Sequence, residues 1–303
     1  MFVVADAVAN RVVNDAHVHF FSPSFFAGLG ADRQRVAALG WEFPNSVDEL
    51  SARWIAELDK HRVGKAALIA SLPGDADAVA IAVAHNPDRF VGFFMLDPTR
   101  KDAIDYAKRA LDEGLRTICL FPAMHGYQFH DPRVADVFEL AASRRGGTVD
   151  QIAIFAHCGL LSVGIRKKLG LPSPFEMRFG NPLDLHGLAL KYPKVPIIIP
   201  HFGAGMLREA LMLADCCPNV YLDTSSSNSW IKYTPGLTLE QVFKSALDVV
   251  GPERLIFGTD SSFFPRGWNG EIHQKQQSAL DAIGVSAEVQ QKVFSGNFAT
   301  IFS

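Results

Sequence analysis

The chain has 303 residues, 48% hydrophobic and 20% charged, with a formal net charge of −3 and an isoelectric point of about 6.4. This is ordinary globular composition with room for a large core; its mild acidity disfavours a nucleic-acid partner, and no run of about 18 apolar residues is present to cross a membrane. Met1–Asn10 carries Asp6 and no basic start, so no signal peptide is expected, and the four cysteines (Cys119, Cys158, Cys216, Cys217) form no CxxC pair, which makes a reducing cytoplasm the expected setting.

Short apolar runs alternate with amphipathic stretches along the whole chain. The first predicted strand is Arg11–Ala16, running into His17-Val18-His19. Helix Val47–His61 follows, with Leu50, Trp54, Ile55 and Leu58 on one face. Strand Lys65–Leu72, helix Ala76–His85, strand Phe90–Leu96 and helix Lys101–Asp112 come next. Then come strand Leu115–Phe121, helix Pro132–Arg144, strand Gln151–Ala156 and helix Pro182–Lys191. The last part reads as strand Val195–Pro200, helix Met206–Cys216, strand Val220–Asp223, helix Thr238–Val249, strand Leu255–Gly258 and helices Glu271–Ile283 and Ala287–Phe302. Gly64, Gly114, Gly146 and Gly251 read as helix stops.

Most of the strands are continuous apolar runs, as expected of strands buried on both faces. Eight such strands alternating with helices predict a (β/α)8 barrel, one domain over residues 1–303. A doubly wound sheet holding a dinucleotide would need a Gly-rich turn after strand one, and His-Val-His stands there instead. Two connections are long: Phe20–Ser46 after strand one and Gly159–Asn181 after strand five. In a barrel both leave the C-terminal ends of strands, where active sites sit, so they read as walls or lids of a site.

The chemistry-bearing residues share one position, the C-terminal end of a strand. His17 and His19 are two apart, so strand alternation turns them the same way. His157 ends strand five, His201 strand six and Asp260 strand eight. The chain has ten histidines in all, and four of them converge with one aspartate on this rim. Imidazoles and a carboxylate suit a divalent metal: Zn²⁺ first, with Mn²⁺ or Fe²⁺ also compatible. A water on such an ion is a nucleophile at neutral pH. Asp260 is placed to move the water proton, and His201 to hydrogen-bond the water or a developing oxyanion.

The pattern resembles the amidohydrolase superfamily in its amidohydrolase-related branch, which includes metal-dependent TIM-barrel hydrolases and enzymes similar to aminocarboxymuconate semialdehyde decarboxylase. The resemblance runs from NDAHVHF through LFPAMHGYQFHDPRV, FAHCG, PHFG and FGTDSSFFP to SGNFATIF. It implies that His17, His19, His157 and Asp260 are metal ligands and that His201 stands beside the metal-bound water. Relatives with two metals bridge them by a carboxylated Lys, or a Glu, at the end of strand four. Cys119 stands there here, so one metal is expected.

The reaction expected is metal-dependent hydrolysis of an amide, lactone or ester-like bond in a small molecule. The alternative is a metal-dependent lyase, a decarboxylase or hydratase of an unsaturated or aromatic acid, which would use the same ligands. Phe121-Pro122 and His157-Cys158-Gly159 resemble the hydrolase group. Candidate substrate contacts are His125, Tyr127 and His130 after strand four, Trp230 after strand seven, Phe263 and Arg266 after strand eight, and Arg178 in the second long loop. A homodimer is compatible with the sequence, which carries no surface stripe that demands one.

Overall fold

The computed structural model describes residues 12–144 and 151–302. The start of the first predicted strand at Arg11, the reading of Met1–Asn10 and the stop at Gly146 lie outside the described residues.

Eight strands form one parallel sheet in sequential order. They are β1 (Val13–His19), β2 (Val63–Ala70), β3 (Phe90–Leu96), β4 (Thr117–Leu120), β5 (Ala153–Ala156), β6 (Ile197–Ile199), β7 (Val220–Asp223) and β8 (Leu255–Ile256). A parallel bridge between Val18 and Ser261 joins the last strand region to the first. Ala16 N–H donates to Phe257 O at 2.9 Å, Asp260 N–H to His17 O at 2.9 Å and His19 N–H to Ser261 O at 2.7 Å. The sheet is therefore a nearly closed (β/α)8 barrel with helices between its strands.

Strand alternation builds two apolar layers. Ala67, Ile69, Phe93, Met95, Cys119 and Phe155 point into the barrel, and Phe298 and Ile301 of the final helix pack with them. Ala66, Leu68, Ala70, Phe94, Ile118 and Ala156 point outward beneath the helices. The helices follow their local signals. In Val47–Lys60, Ser46 caps by accepting from Glu49 N–H, and Leu50, Trp54 and Leu58 are buried at a spacing of four. Leu239–Val250 opens on a full capping box between Thr238 and Gln241.

Most strand and helix ends shift by a few residues from the sequence reading, and three readings differ in kind. Gly64 stops no helix: it lies inside β2, and the left-handed residue after Val47–Lys60 is Arg62, at φ 58°. The stretch Pro182–Lys191 divides into a 3-10 turn, Pro182–Leu185, and a helix, His186–Lys191. The final helix is interrupted by a π turn at Lys292–Gly296.

The two long connections carry structure of their own. Residues 20–46 contain helices Pro23–Gly28 and Arg33–Ala38. Residues 159–181 contain helix Gly164–Lys168 and the 3-10 turn Met177–Gly180. Phe25, Phe26, Leu29, Val36 and Trp41 of the first pack with Ile165 and Leu169 of the second in a separate apolar cluster. This cap rests on the C-terminal mouth of the barrel. Among the described residues, no helix is long and apolar enough to cross a membrane, and all four cysteines are free thiols.

Candidate metal centre

His17 and His19 stand at the end of β1, and Asp260 lies just beyond β8. Ligand atoms of these three residues all lie within 4.8 Å of one another. Asp260 Oδ1 is 3.1 Å from His19 Nε2 and 3.7 Å from His17 Nε2. Asp260 takes a left-handed backbone, φ 60°, a conformation that costs energy outside glycine and recurs at functional sites. The bond from its N–H to His17 O holds that turn against β1.

The opposite edges of the two imidazoles are already engaged. His17 Nδ1 is 2.7 Å from Asp223 Oδ2 and 2.9 Å from Ser225 Oγ. His19 Nδ1 is 2.7 Å from Ser71 Oγ, whose own proton goes to Ile69 O at 3.0 Å. Both Nδ1 atoms therefore donate, and each Nε2 keeps its lone pair on the side of Asp260. That donor set fits a divalent metal.

Two glycines make room for this arrangement. A Cβ on Gly258 would meet His17 Cβ at 2.8 Å, Asp223 Oδ1 at 2.9 Å and Ser225 Cβ at 2.9 Å. Gly159, at φ 71°, passes so close to β6 that a Cβ would lie 2.1 Å from Gly203 O.

His157 and His201 line the same cavity. The His201 ring stacks 5.0 Å from that of His17, and the His157 ring lies 5.4 Å from His201. No nitrogen of His157 comes within 4.8 Å of all three ligand atoms of the trio. His201 and Phe202 both take left-handed backbone, φ 57° and φ 52°, which turns the His201 ring off the end of β6. Cys158 points the other way, into the layer beneath the helices, and burial pushes its thiol up. Burial likewise pushes the Cys119 thiol well above its usual range.

The charges are set by burial against partners. Burial would raise Asp260, but the neighbouring imidazoles of His19, His17 and His201 hold it well below the usual carboxylate range. It is ionised at neutral pH, and about a third of its side chain (35%) is exposed to the cavity. Burial lowers His19, His157 and His201. Burial also opposes charge on His17, yet the carboxylate of Asp223 raises it overall. Beneath the rim, Asp15 accepts from His17 N–H (2.9 Å), Thr259 N–H (3.1 Å), Thr259 Oγ1 (2.5 Å) and Trp268 Nε1 (2.7 Å). Burial pushes Asp15 up to about 6 even so.

The trio forms the floor of a cavity of about 360 Å³. Phe21, Phe25, Leu29 and Trp41 of the first long loop and Leu161, Val163 and Ile165 of the second wall it. Trp41 stacks on Phe263 at 3.9 Å, and Phe21 on Phe25 at 4.1 Å. Among the described residues, Asp260 is the one carboxylate lining it, against three cations, Arg166, Lys168 and Arg266. Arg266 sits 4.5 Å over the Phe263 ring and donates to Ser262 Oγ at 3.0 Å.

Of the substrate contacts expected from sequence, Phe263 and Arg266 line this cavity. The others do not. The short helix Pro122–His125 brings Met124 to the wall, while Tyr127 is buried elsewhere and His130 is exposed to solvent. His125 Nδ1 and Tyr127 Oη are buried without a hydrogen-bond partner. Trp230 is buried against Asn228, and Arg178 is exposed and paired with Glu176. Sequence reasoning read the two long loops as walls or lids without naming their aromatic residues, and it missed Asp223, Ser225 and Ser71. The signal for Asp223 was present: it is a carboxylate at the C-terminal end of a barrel strand. A second cavity of about 320 Å³, lined by Asp77, Asp97, Arg100 and Tyr106 among others, shares none of the rim groups.

Comparison with known proteins agrees with this fold. A family model described as Amidohydrolase matches residues 15–302, and the chain belongs to that family. Among curated proteins, Protein fluG of Emericella nidulans is 34% identical over 85 residues, a match that spans 28% of this chain and only 10% of that protein. A TIM-barrel protein of Bordetella bronchiseptica, described as uncharacterized, superposes with a TM-score of 0.66 at 17% identity, covering 95% of this chain and 97% of its own. An amidohydrolase of Burkholderia multivorans, solved with bound Zn, superposes with a TM-score of 0.63 at 14% identity, covering 96% of this chain and 98% of its own.

Proposed function

We propose that this member of the amidohydrolase family is a metal-dependent hydrolase of a small molecule with an apolar body and an anionic group, cleaving an amide, lactone or ester-like bond. One observation carries the reading. The free imidazole edges of His17 and His19 and the ionised Asp260 meet at one point on the floor of an aromatic, cation-rimmed cavity.

A single divalent ion there, Zn²⁺ before Mn²⁺ or Fe²⁺, would supply Lewis acidity and bring the pKa of a bound water to about 7. His17, His19 and Asp260 are the residues that would hold it, with His157 beside them on the same floor. Asp260, ionised and partly open to the cavity, takes a proton from the attacking water and returns it to the leaving group. The aromatic cap takes the body of the substrate and excludes water. Arg266, fixed by Phe263 and Ser262, is the anchor for its anionic group. Among the described residues, Arg166, Lys168 and Arg266 enter no salt bridge, although Arg166 already donates to Pro172 O and Lys168 lies over the Trp41 ring. The same cations would serve a lyase if the carboxylate lay over the metal point, and carbon dioxide release would distinguish that reaction.

The test is metal content of the full chain purified without added metal, native and as the His17→Ala/His19→Ala double variant. The native protein should hold about one equivalent, as a mononuclear site requires, and the double variant none. The native protein should hydrolyse carboxylate-bearing lactones, amides or esters, and the double variant should be inactive. A folded native protein that takes up no divalent metal overturns the reading.

A further inference from the structure

The hydroxyl of Ser225 lies at the meeting point of three side chains. Its Oγ is 2.9 Å from His17 Nδ1, 2.9 Å from His201 Nδ1 and 2.9 Å from Asp223 Oδ2. The Asp223 carboxylate is fully buried at the end of β7. Its other oxygen accepts the Ser225 N–H at 2.7 Å, so loop and carboxylate are locked together.

Hydrogen-bond bookkeeping then fixes where the protons sit. The single hydroxyl proton of Ser225 goes to Asp223, because the carboxylate can only accept. The oxygen's two lone pairs are left for donors. His201 Nδ1 faces that oxygen and also the Ser225 carbonyl at 3.3 Å, and neither can give it a proton. His201 Nδ1 must therefore carry the hydrogen. Its Nε2, on the opposite edge of a ring that lines the cavity, is the bare lone pair. A neutral His201 held this way presents a hydrogen-bond acceptor to the cavity and no donor. The same oxygen and carboxylate receive the Nδ1–H of His17, so one hydroxyl registers the His17 ring and the His201 ring against each other.

We propose that Ser225 is a positioning residue: anchored by Asp223, it holds His201 in the Nδ1–H form and aligns it with His17, leaving the His201 Nε2 lone pair as a hydrogen-bond acceptor in the site. The inference rests on the hydrolase reading for its catalytic meaning, but its test does not. The full chain, labelled with ¹⁵N-histidine and chelated, is examined by NMR at about pH 8.5, roughly two units above the ordinary imidazole pKa. His201 is assigned by its absence in His201→Gln.

In the native protein His201 should show a protonated Nδ1 and a bare Nε2. In Ser225→Ala, where the backbone carbonyl alone remains, it should become a mixture of both forms. Zn²⁺ affinity, read through His17 by competition with a chelator, should fall about 10- to 100-fold in Ser225→Ala, the usual cost of losing a group behind a ligand. Ser225→Thr, which restores the hydroxyl, should recover both readouts. A native His201 protonated on Nε2 overturns the proposal without any variant. A folded Ser225→Ala with the native tautomer and native Zn²⁺ affinity also overturns it. If the native chain takes up no Zn²⁺ yet shows the expected tautomer, the hydrolase reading fails and the positioning role stands.

Discussion

The floor and the roof of the cavity are built on opposite principles. The floor is polar and directional. His17, His19 and Asp260 are each held by a named partner, through Asp223 Oδ2 at 2.7 Å, Ser71 Oγ at 2.7 Å and the His17 carbonyl at 2.9 Å. The roof is apolar. Phe21, Phe25, Trp41, Ile165 and Phe263 meet by area and ring stacking, and its polar fixtures are few. A hydrogen bond specifies an atom's position to a few tenths of an ångström, whereas apolar packing specifies volume and tolerates exchange. The floor therefore sets what reaction occurs, and the roof sets what enters. Changes on the floor should cost metal and turnover; changes in the roof should cost recognition or stability.

The sharpest test of that division within the floor is Asp223→Asn. The substitution preserves shape but gives His17 Nδ1 an amide where a charged acceptor stood. Zn²⁺ affinity should fall about 10- to 100-fold, with a parallel fall in kcat and little change in KM. Competition titration and steady-state rates on one substrate check this. Native affinity in the variant would mean that β1 alone orients His17.

Arg266→Gln probes the roof. The guanidinium lines the cavity but donates to Ser262 Oγ and the Asp260 carbonyl, not to the trio's ligand atoms. Loss of a charge-assisted bond of about 1.5–3 kcal/mol should raise KM for a carboxylate-bearing substrate roughly 10- to 100-fold. The matching neutral ester or amide should be little affected, and kcat and metal content should hold. An equal loss on both substrates would move Arg266 from recognition to the floor.

This division also explains what could be read from the sequence. β3 and β7 matched their predicted bounds residue for residue, because apolar runs ending at polar residues are local signals. His17 and His19 were legible because strand alternation is local too. Asp223 was visible as a carboxylate ending its strand, but its role was not, because its partner is 206 residues away and meets it only through barrel closure. The loops of Trp41 and Phe25 read as walls or lids, but these two residues were not singled out, since their role depends on two loops far apart in sequence packing together over the mouth. His125, Tyr127 and His130 misled for the reverse reason. They follow a strand end, as functional residues do, but the turn after Phe121 carries only Met124 to the wall.

The smallest effect on the reaction should come from a polar latch of the roof. Ser22 Oγ donates to both oxygens of Asp75, at 3.1 and 3.2 Å, and Ser24 Oγ donates at 2.5 Å. This ties the first long loop to the start of helix Ala76–His85. Asp75 is 5% exposed. Burial is the main cause that raises its pKa from 3.8 to about 6; the two serine bonds oppose the rise, and the charge of Asp77 adds to it. A carboxyl raised on folding binds protons more tightly in the folded chain than in the unfolded one, so its contribution falls as pH rises between those two values. At about 1.36 kcal/mol per unit, the decline amounts to up to about 3 kcal/mol. Asp75→Asn keeps an oxygen for the serines and removes the titration. The stability of the native chain relative to this variant, measured by denaturant unfolding, should therefore drop by up to that amount between about pH 4 and pH 6. Asp15, raised in the same sense, is present in both chains and cancels. Zn²⁺ affinity should not change. A flat difference across that range would mean that the Asp75 carboxyl is solvated as in the unfolded chain, and that this latch adds no pH-dependent hold on the roof.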